Sequence, residues 1–271
     1  MFSRIPLARL IFGLLSLGSP SFAEDPSPTN LKRSGSQSVT GYQIEEPAKR
    51  TQIAPERFEI ALLNSTVKIE RWGTGSKGII FFNHSGPMAD MIRASMRDYD
   101  PLIEKGYSLF LWDYPSASPF DRVPAAIDSF VGGSTQTVDF SGIARGVVDG
   151  IRKKSALQSF LLVGDSLGGG IILWDYNSLK GTPDISFLLI SPTEVFMPNV
   201  SSLQDLKRTV LVANENADVF LKNPENKNWI EKNKSPATAT LSGKGHFILG
   251  QNLSHNEFIR LIQLATKQQT Q

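Results

Sequence analysis

Along the chain the spacing of apolar residues changes character several times. An apolar run from Leu10 to Leu17 stands behind Arg4 and Arg9, and hydrophobic periodicity then disappears from Glu24 to about Pro55, where Ser, Pro, Gln, Lys and Arg dominate. A stretch of that kind cannot repay the entropy of ordering and is expected to be a flexible lead-in. Regular patterning begins near Arg57. Phe58 to Leu63 and Thr66 to Trp72 flank Asn64-Ser65 and predict an antiparallel pair, while Gly78 to Asn83 is a continuous apolar run of the kind a strand buried on both faces requires. Met91 to Glu104 predicts a helix with a break tolerated at Pro101, Tyr107 to Trp112 a strand, Val138 to Lys153 a helix and Phe160 to Val163 a strand. A helix holding Ile171, Ile172 and Leu173 comes next, followed by strands at Ile185 to Ile190, Thr209 to Ala213 and Ala237 to Leu241. The last helix opens at Ser254 with Glu257 three residues later, a capping box, and runs to about Lys267.

Strands alternating with helices imply an α/β fold: a mostly parallel sheet with helices on both faces and right-handed crossovers. At 271 residues and 40% hydrophobic content, the chain can bury one sizeable core. The positive start, the apolar run and the small-residue site Ser21-Phe22-Ala23 read as a secretory signal. The expected organisation is therefore a signal peptide over 1–23, a polar lead-in over 24–55 and one catalytic domain over 56–271. A membrane anchor is the alternative for the first segment, but Gly18, Ser19 and Pro20 end the run well short of the ~20 residues that a spanning helix needs. No stable span is expected after cleavage, and the location that follows is secreted or periplasmic.

Composition narrows the chemistry. The sequence has no cysteine, which excludes disulfides, thiol nucleophiles and cysteine-ligated metals. Residues 1–23 hold Arg4 and Arg9 and no acidic residue, so removing them leaves 26 basic against 26 acidic residues. A neutral mature chain argues against nucleic acid as a partner.

The most informative segment is Phe160-Leu-Leu-Val-Gly164-Asp165-Ser166-Leu167-Gly168, a strand, a sharp turn and a helix with Gly-x-Ser-x-Gly at the turn. A serine at such an elbow sits in a strained backbone conformation, and side chains two residues before and after it would collide, so Gly164 and Gly168 fit. The elbow points the hydroxyl away from the sheet, and the Leu167 N–H at the start of the helix becomes a donor for a developing oxyanion. A glycine-rich turn without chemistry is the competing reading of the same letters.

On these residues the sequence resembles the α/β-hydrolase superfamily over most of 57–267. The resemblance implies the fold of that name and a triad in the chain order Ser, acid, His. Asp218, after the strand Thr209 to Ala213, is similar to the family's acid. Glu215 stands where the family usually has glycine and is a second choice, and Glu194, after the preceding strand, is a third. His246 in Gly243-Lys-Gly245-His246 resembles the family's histidine turn, whereas His255, in the first turn of the last helix, suits a solvated surface position. His84-Ser85-Gly86-Pro87 looks like the family's His-Gly segment, with Ser85 in place of the usual glycine. It would supply the second oxyanion donor from the amide of Ser85 or Gly86, with His84 shaping the loop. The stretch from Ser191 to Arg208 is too short for the helical cap of many relatives, so little or no cap and an open site are expected. Val195, Phe196, Met197 and Val200 are candidates for an apolar wall, and the loop from Pro115 to Thr137, with Phe120, Phe130 and Gly132-Gly133, for a rim.

The implied activity is hydrolysis of an ester or thioester with a small-molecule or acyl-chain substrate, through an acyl-enzyme on Ser166, His246 and Asp218. No metal or organic cofactor is implied. A serine peptidase could use the same triad, and a non-catalytic binding protein could use the same fold. Gly73-x-Gly75-x-x-Gly78 formally matches a dinucleotide fingerprint but precedes a strand instead of opening a helix, so it reads as a turn. If Asp218 orients the histidine, Asp218→Asn cuts the hydrolytic rate strongly and Glu215→Gln does not; steady-state kinetics on the two variants assigns the acid.

Overall fold

Strand β1 (Glu56–Leu62) returns as β2 (Ser65–Trp72) through a two-residue turn, with Leu62 opposite Ser65. The turn is therefore Leu63-Asn64, one residue earlier than the sequence pattern predicts. Leu63 takes the positive φ of 51° that so tight a reversal demands and leaves its side chain in solvent. The computed structural model describes residues 54–84, 88–123, 138–192, 208–213, 237–240, 249–250 and 253–268, with 237–240 described by their backbone. These all belong to one compact unit, Thr51–Gln271.

The sheet continues with β3 (Lys77–Phe82), β4 (Tyr107–Trp112), β5 (Ser159–Asp165), β6 (Ile185–Ile190), β7 (Thr209–Ala213) and β8 (Ala237–Thr240). Its eight strands lie in the order β1-β2-β4-β3-β5-β6-β7-β8. From β4 to β8 every neighbouring pair is parallel, and β2 is antiparallel to both its neighbours. Successive residues of an apolar strand point to opposite faces, and each face has its own core. Ile80, Phe82, Phe110 and Leu162 join one cluster with Val147, Ile151 and Ile171, while Ile79, Phe81, Leu109 and Val163 join another with Ile92, Phe258 and Ile262. Each fully buried Leu, Ile or Phe contributes about 1.5–3 kcal/mol. These strands consequently read as unbroken apolar runs.

The helices are α1 (Met88–Ala94), α2 (Asp100–Glu104), α3 (Ile143–Lys154), α4 (Leu167–Trp174), α5 (Tyr176–Leu179) and α6 (His255–Gln268), with 3₁₀ turns at Met96–Tyr99 and Phe120–Arg122. The helix expected over 91–104 is thus three short pieces. Its break falls at Ser95, while Pro101 sits in the first turn of α2, where a missing N–H costs nothing. The helix expected from Val138 begins at Ile143 instead. Asp139 accepts the Ser141 N–H at 2.8 Å in a local turn, and Gly142 at φ +80° then redirects the chain. Gly73, at φ +85°, lies in the turn between β2 and β3, where the nominal dinucleotide fingerprint falls.

The capping box forms as the sequence predicts: the Ser254 N–H donates to Glu257 Oε2 at 3.1 Å and the Glu257 N–H to Ser254 Oγ at 3.3 Å. His255 is not a solvated surface residue. It is half-buried, with its ring 3.2 Å from the Tyr99 hydroxyl through Nδ1 and 3.5 Å from Ser95 Oγ through Nε2, and so pins α6 against the 96–99 turn. Periodicity could not show this, because both partners lie some 160 positions away in the chain.

Helix α3 has no cap of its own, and its cap comes from a distant residue. Asp175, buried between α4 and α5, accepts the Gly142 N–H at 2.7 Å and the Arg145 N–H at 3.1 Å. Burial pushes its carboxyl above the ordinary value, against the pull of the amides of Arg145, Gly142 and Ala144. Truncation to Asp175→Ala strands these amides in a buried site and costs about 1–3 kcal/mol of stability. The loss is read as a lower urea midpoint with an unchanged slope.

Candidate active site

The site is assembled at the carboxyl edge of the parallel strands, which end nearly level with one another. Asp165 pairs with Ile190, Ile190 with Val212, and Ala213 with Thr240. Ser166 follows β5 directly at φ 51°, ψ −110°, a conformation strained for any residue with a side chain. Two hydrogen bonds hold it there: the Ser166 N–H donates to the Ile190 carbonyl at 2.9 Å, and the Gly170 N–H donates to the Ser166 carbonyl at 3.1 Å.

That second bond is the first of helix α4. It leaves the amides of Leu167, Gly168 and Gly169 without acceptors inside the helix, at the end where the helix dipole is positive. Anionic charge developing beside Ser166 would meet these donors.

Sterics explain the glycines. A Cβ on Gly164 would lie 2.6 Å from the Cα and N of Gly169, and one on Gly168 would lie 2.0 Å from the Phe82 carbonyl oxygen. Strand β5, the first turn of α4 and the end of β3 therefore touch backbone to backbone. The contact also places the exit of β3 beside the Ser166 elbow, since the same Cβ on Gly168 would be 2.9 Å from the Asn83 carbonyl oxygen.

His84 follows at that exit and is buried, and desolvation lowers its imidazole below the ordinary value, favouring the uncharged ring. Ser166, Leu167 and the Asn83-His84 segment are thus brought together. Ser85, Gly86, Glu194, Glu215, Asp218 and His246 lie outside the described residues, as do residues 1–53, Val195, Phe196, Met197, Val200, Phe130 and Gly132-Gly133. Phe120 is described and is no free rim: it is buried, stacked on Tyr114 with ring centroids 4.5 Å apart and packed on Phe140 at 5.6 Å.

Two polar side chains at the site escape sequence analysis. Asp165, the residue before Ser166, is fully buried, and its Oδ2 accepts the Leu249 N–H at 3.0 Å. Tyr114, two residues past β4, donates its hydroxyl to the Asn83 carbonyl at 2.5 Å. Burial, reinforced by the Asp165 charge, pushes the Tyr114 hydroxyl well above the ordinary phenol range. The available signal for Asp165 was a charged residue closing the apolar run from Phe160 to Val163; Tyr114 had none. Among the described residues, no group of three or more His, Cys, Asp or Glu could hold a metal ion, and no helix is long and apolar enough to cross a membrane.

If the backbone contact at Gly168 sets the elbow, Gly168→Ala forces strand and helix apart and destabilises the fold by roughly 3 kcal/mol. Chemical denaturation of the variant measures the cost.

No family model and no curated protein matches the sequence. Solved structures do match. An α/β serine hydrolase homologue from Coxiella burnetii has 16% identity and a TM-score of 0.51, covering 80% of this chain and 99% of its own. Est1E from Butyrivibrio proteoclasticus has 11% identity and a TM-score of 0.51, covering 79% of this chain and 99% of its own. A dienelactone hydrolase-like promiscuous phosphotriesterase from metagenomic libraries has 10% identity and a TM-score of 0.50, covering 80% and 97%. Together with the strand order, the single reversed strand and the strained serine between β5 and α4, these likenesses show that the chain has the α/β-hydrolase fold.

Proposed function

We propose that this chain is an exported serine hydrolase that cleaves a carboxylic ester or thioester through an acyl-enzyme. The observation that carries the reading is the backbone of Ser166: a serine held at φ 51°, ψ −110° at the carboxyl edge of the sheet, at the mouth of a helix. Strain of this kind persists where the surroundings over-determine it, and it clusters at reactive sites. The structural neighbours named as a serine hydrolase homologue and as a dienelactone hydrolase-like phosphotriesterase support the same chemistry.

Topology supports the remaining partners. Asp218 is five residues past the end of β7 and His246 six past the end of β8. Strands lie about 4.8 Å apart, so β7 and β8 stand about 10 and 14 Å from β5. Five or six residues reach roughly 17–20 Å, enough to cross back to Ser166. A second constraint favours His246: three residues later, the Leu249 amide is held by Asp165, the neighbour of the nucleophile, and three residues span about 10 Å at most.

In the reaction, Ser166 Oγ attacks the carbonyl carbon while His246 takes its proton, and Asp218 holds the imidazole tautomer. The amides of Leu167 and of Ser85 or Gly86 hold the oxyanion. Collapse expels the alcohol or thiol, which receives the proton from His246, and water then releases the acid by the same route. Export rests on the signal-like segment 1–23.

Labelling of the mature protein with a fluorophosphonate probe is expected to modify Ser166, and p-nitrophenyl esters are expected to be hydrolysed. Ser166→Ala should lose labelling and lower turnover by about 10⁴-fold or more while folding normally. Wild-type hydrolysis by that variant would remove Ser166 from the mechanism.

A further inference from the structure

At the carboxyl edge the exits of β3 and β4 are joined by side chains. The parallel ladder between them ends at Ile80 and Phe110, and the two chains then continue toward the site. Asn83 Nδ2 donates to the carbonyl of Trp112, the last residue of β4, at 2.7 Å. Tyr114 returns the contact, donating its hydroxyl to the Asn83 carbonyl at 2.5 Å. Each exit thus uses a side chain to hold the backbone of the other.

Both sides of this clamp are immobilised. Asn83 is buried, and its carbonyl borders Gly168 in the first turn of α4. The Tyr114 ring is stacked on Phe120 and set edge-on to Trp112, with centroids 5.0 Å apart. The hydroxyl has one rotatable proton and is aimed at one carbonyl. Its raised pKa keeps it a donor throughout the working range of a serine hydrolase.

The consequence lies one peptide further on. A peptide unit is planar, so a carbonyl held at Asn83 fixes the direction of the His84 N–H in the same plane. The next two peptide units carry the N–H groups of Ser85 and Gly86, between which the second oxyanion donor is assigned. We propose that Tyr114, with Asn83, is a positioning residue for the proposed oxyanion site: it fixes, beside the first turn of α4, the Asn83–His84 peptide from which the segment carrying the Ser85 and Gly86 amides departs. This rests on the serine-hydrolase reading and deepens it. Tyr114 itself touches no reacting atom.

Tyr114→Phe separates this role from packing, because it keeps the ring in its stack and removes the donor alone. An oxyanion donor is worth about 10²–10³ in kcat, and loosening one without deleting it is expected to lower kcat on p-nitrophenyl esters by about 10-fold. KM should stay within about twofold, because the oxyanion interaction strengthens in the transition state. Fluorophosphonate labelling of Ser166 should slow by a similar factor, and the pH midpoint for the histidine limb should not move. Asn83→Ala should give a loss in the same direction, and adding it to Tyr114→Phe should cost less than the product of the single effects, because both variants open one clamp. A folded Tyr114→Phe chain with wild-type kcat, or one in which KM alone rises, overturns the proposal and leaves the triad reading standing. A wild-type chain that neither labels at Ser166 nor hydrolyses esters overturns the triad reading and the proposal with it.

Discussion

Between residues 164 and 169 three backbone segments pass so close that a single methyl group would drive them apart. A Cβ on Gly168 would stand 2.0 Å from a carbonyl oxygen of β3, and one on Gly164 would stand 2.6 Å from the first turn of α4. With that contact in place, the strand, the turn and the helix have one way to connect, and Ser166 must take the strained positive-φ conformation observed. The strain is compensated by two backbone hydrogen bonds and by the buried apolar strands on both sides. Interiors of this density resist continuous deformation, so the hydroxyl and the helix amides keep a fixed relation to each other.

Polar groups extend the constraint outward. Asp165 reaches from the elbow to the Leu249 amide, and Asn83 and Tyr114 tie the exits of β3 and β4 together. Asp175 performs a comparable service behind the elbow, closing the start of α3 from the far end of α4. Buried polar groups of this kind are costly unless paired, and once paired they select one arrangement of their neighbours over others. At the other side of β2, Arg93 joins Glu70, Asp90 and Asp113 at 2.7, 2.6 and 2.9 Å. Burial alone would raise the Glu70 carboxyl, but the Arg93 and Arg57 guanidiniums outweigh it and hold it below the ordinary value. The network fastens α1, the helix entered from the β3 exit, to the sheet.

Much of this architecture is legible in the amino-acid order, since it follows from short-range rules. Short apolar runs rich in β-branched and aromatic residues and bounded by turns read as strands covered on both faces, Gly-x-Ser-x-Gly between a strand and a helix reads as a tight elbow, and Ser254 with Glu257 forms a cap within one helical turn. Errors in the same reading arose where a local signal was weighed without its surroundings. The hairpin turn moved by a residue because the pairing of Leu62 with Ser65 set it, and the helix expected over 91–104 broke at Ser95 where Tyr99 and His255 dock.

What the sequence determined by itself, then, is the order of elements, the sheet type and the place of the serine elbow, because each depends on neighbours within a few positions. Tertiary structure alone decided that Asp165 would hold Leu249, that Tyr114 would hold Asn83, that Asp175 would cap a helix through an amide 33 residues earlier and that His255 would be an internal strut. These contacts join residues 31 to 156 positions apart. No period or motif encodes them. A hydrogen bond requires two groups at about 3 Å, and for groups so distant in the chain only the packed sheet and its helices bring them within reach.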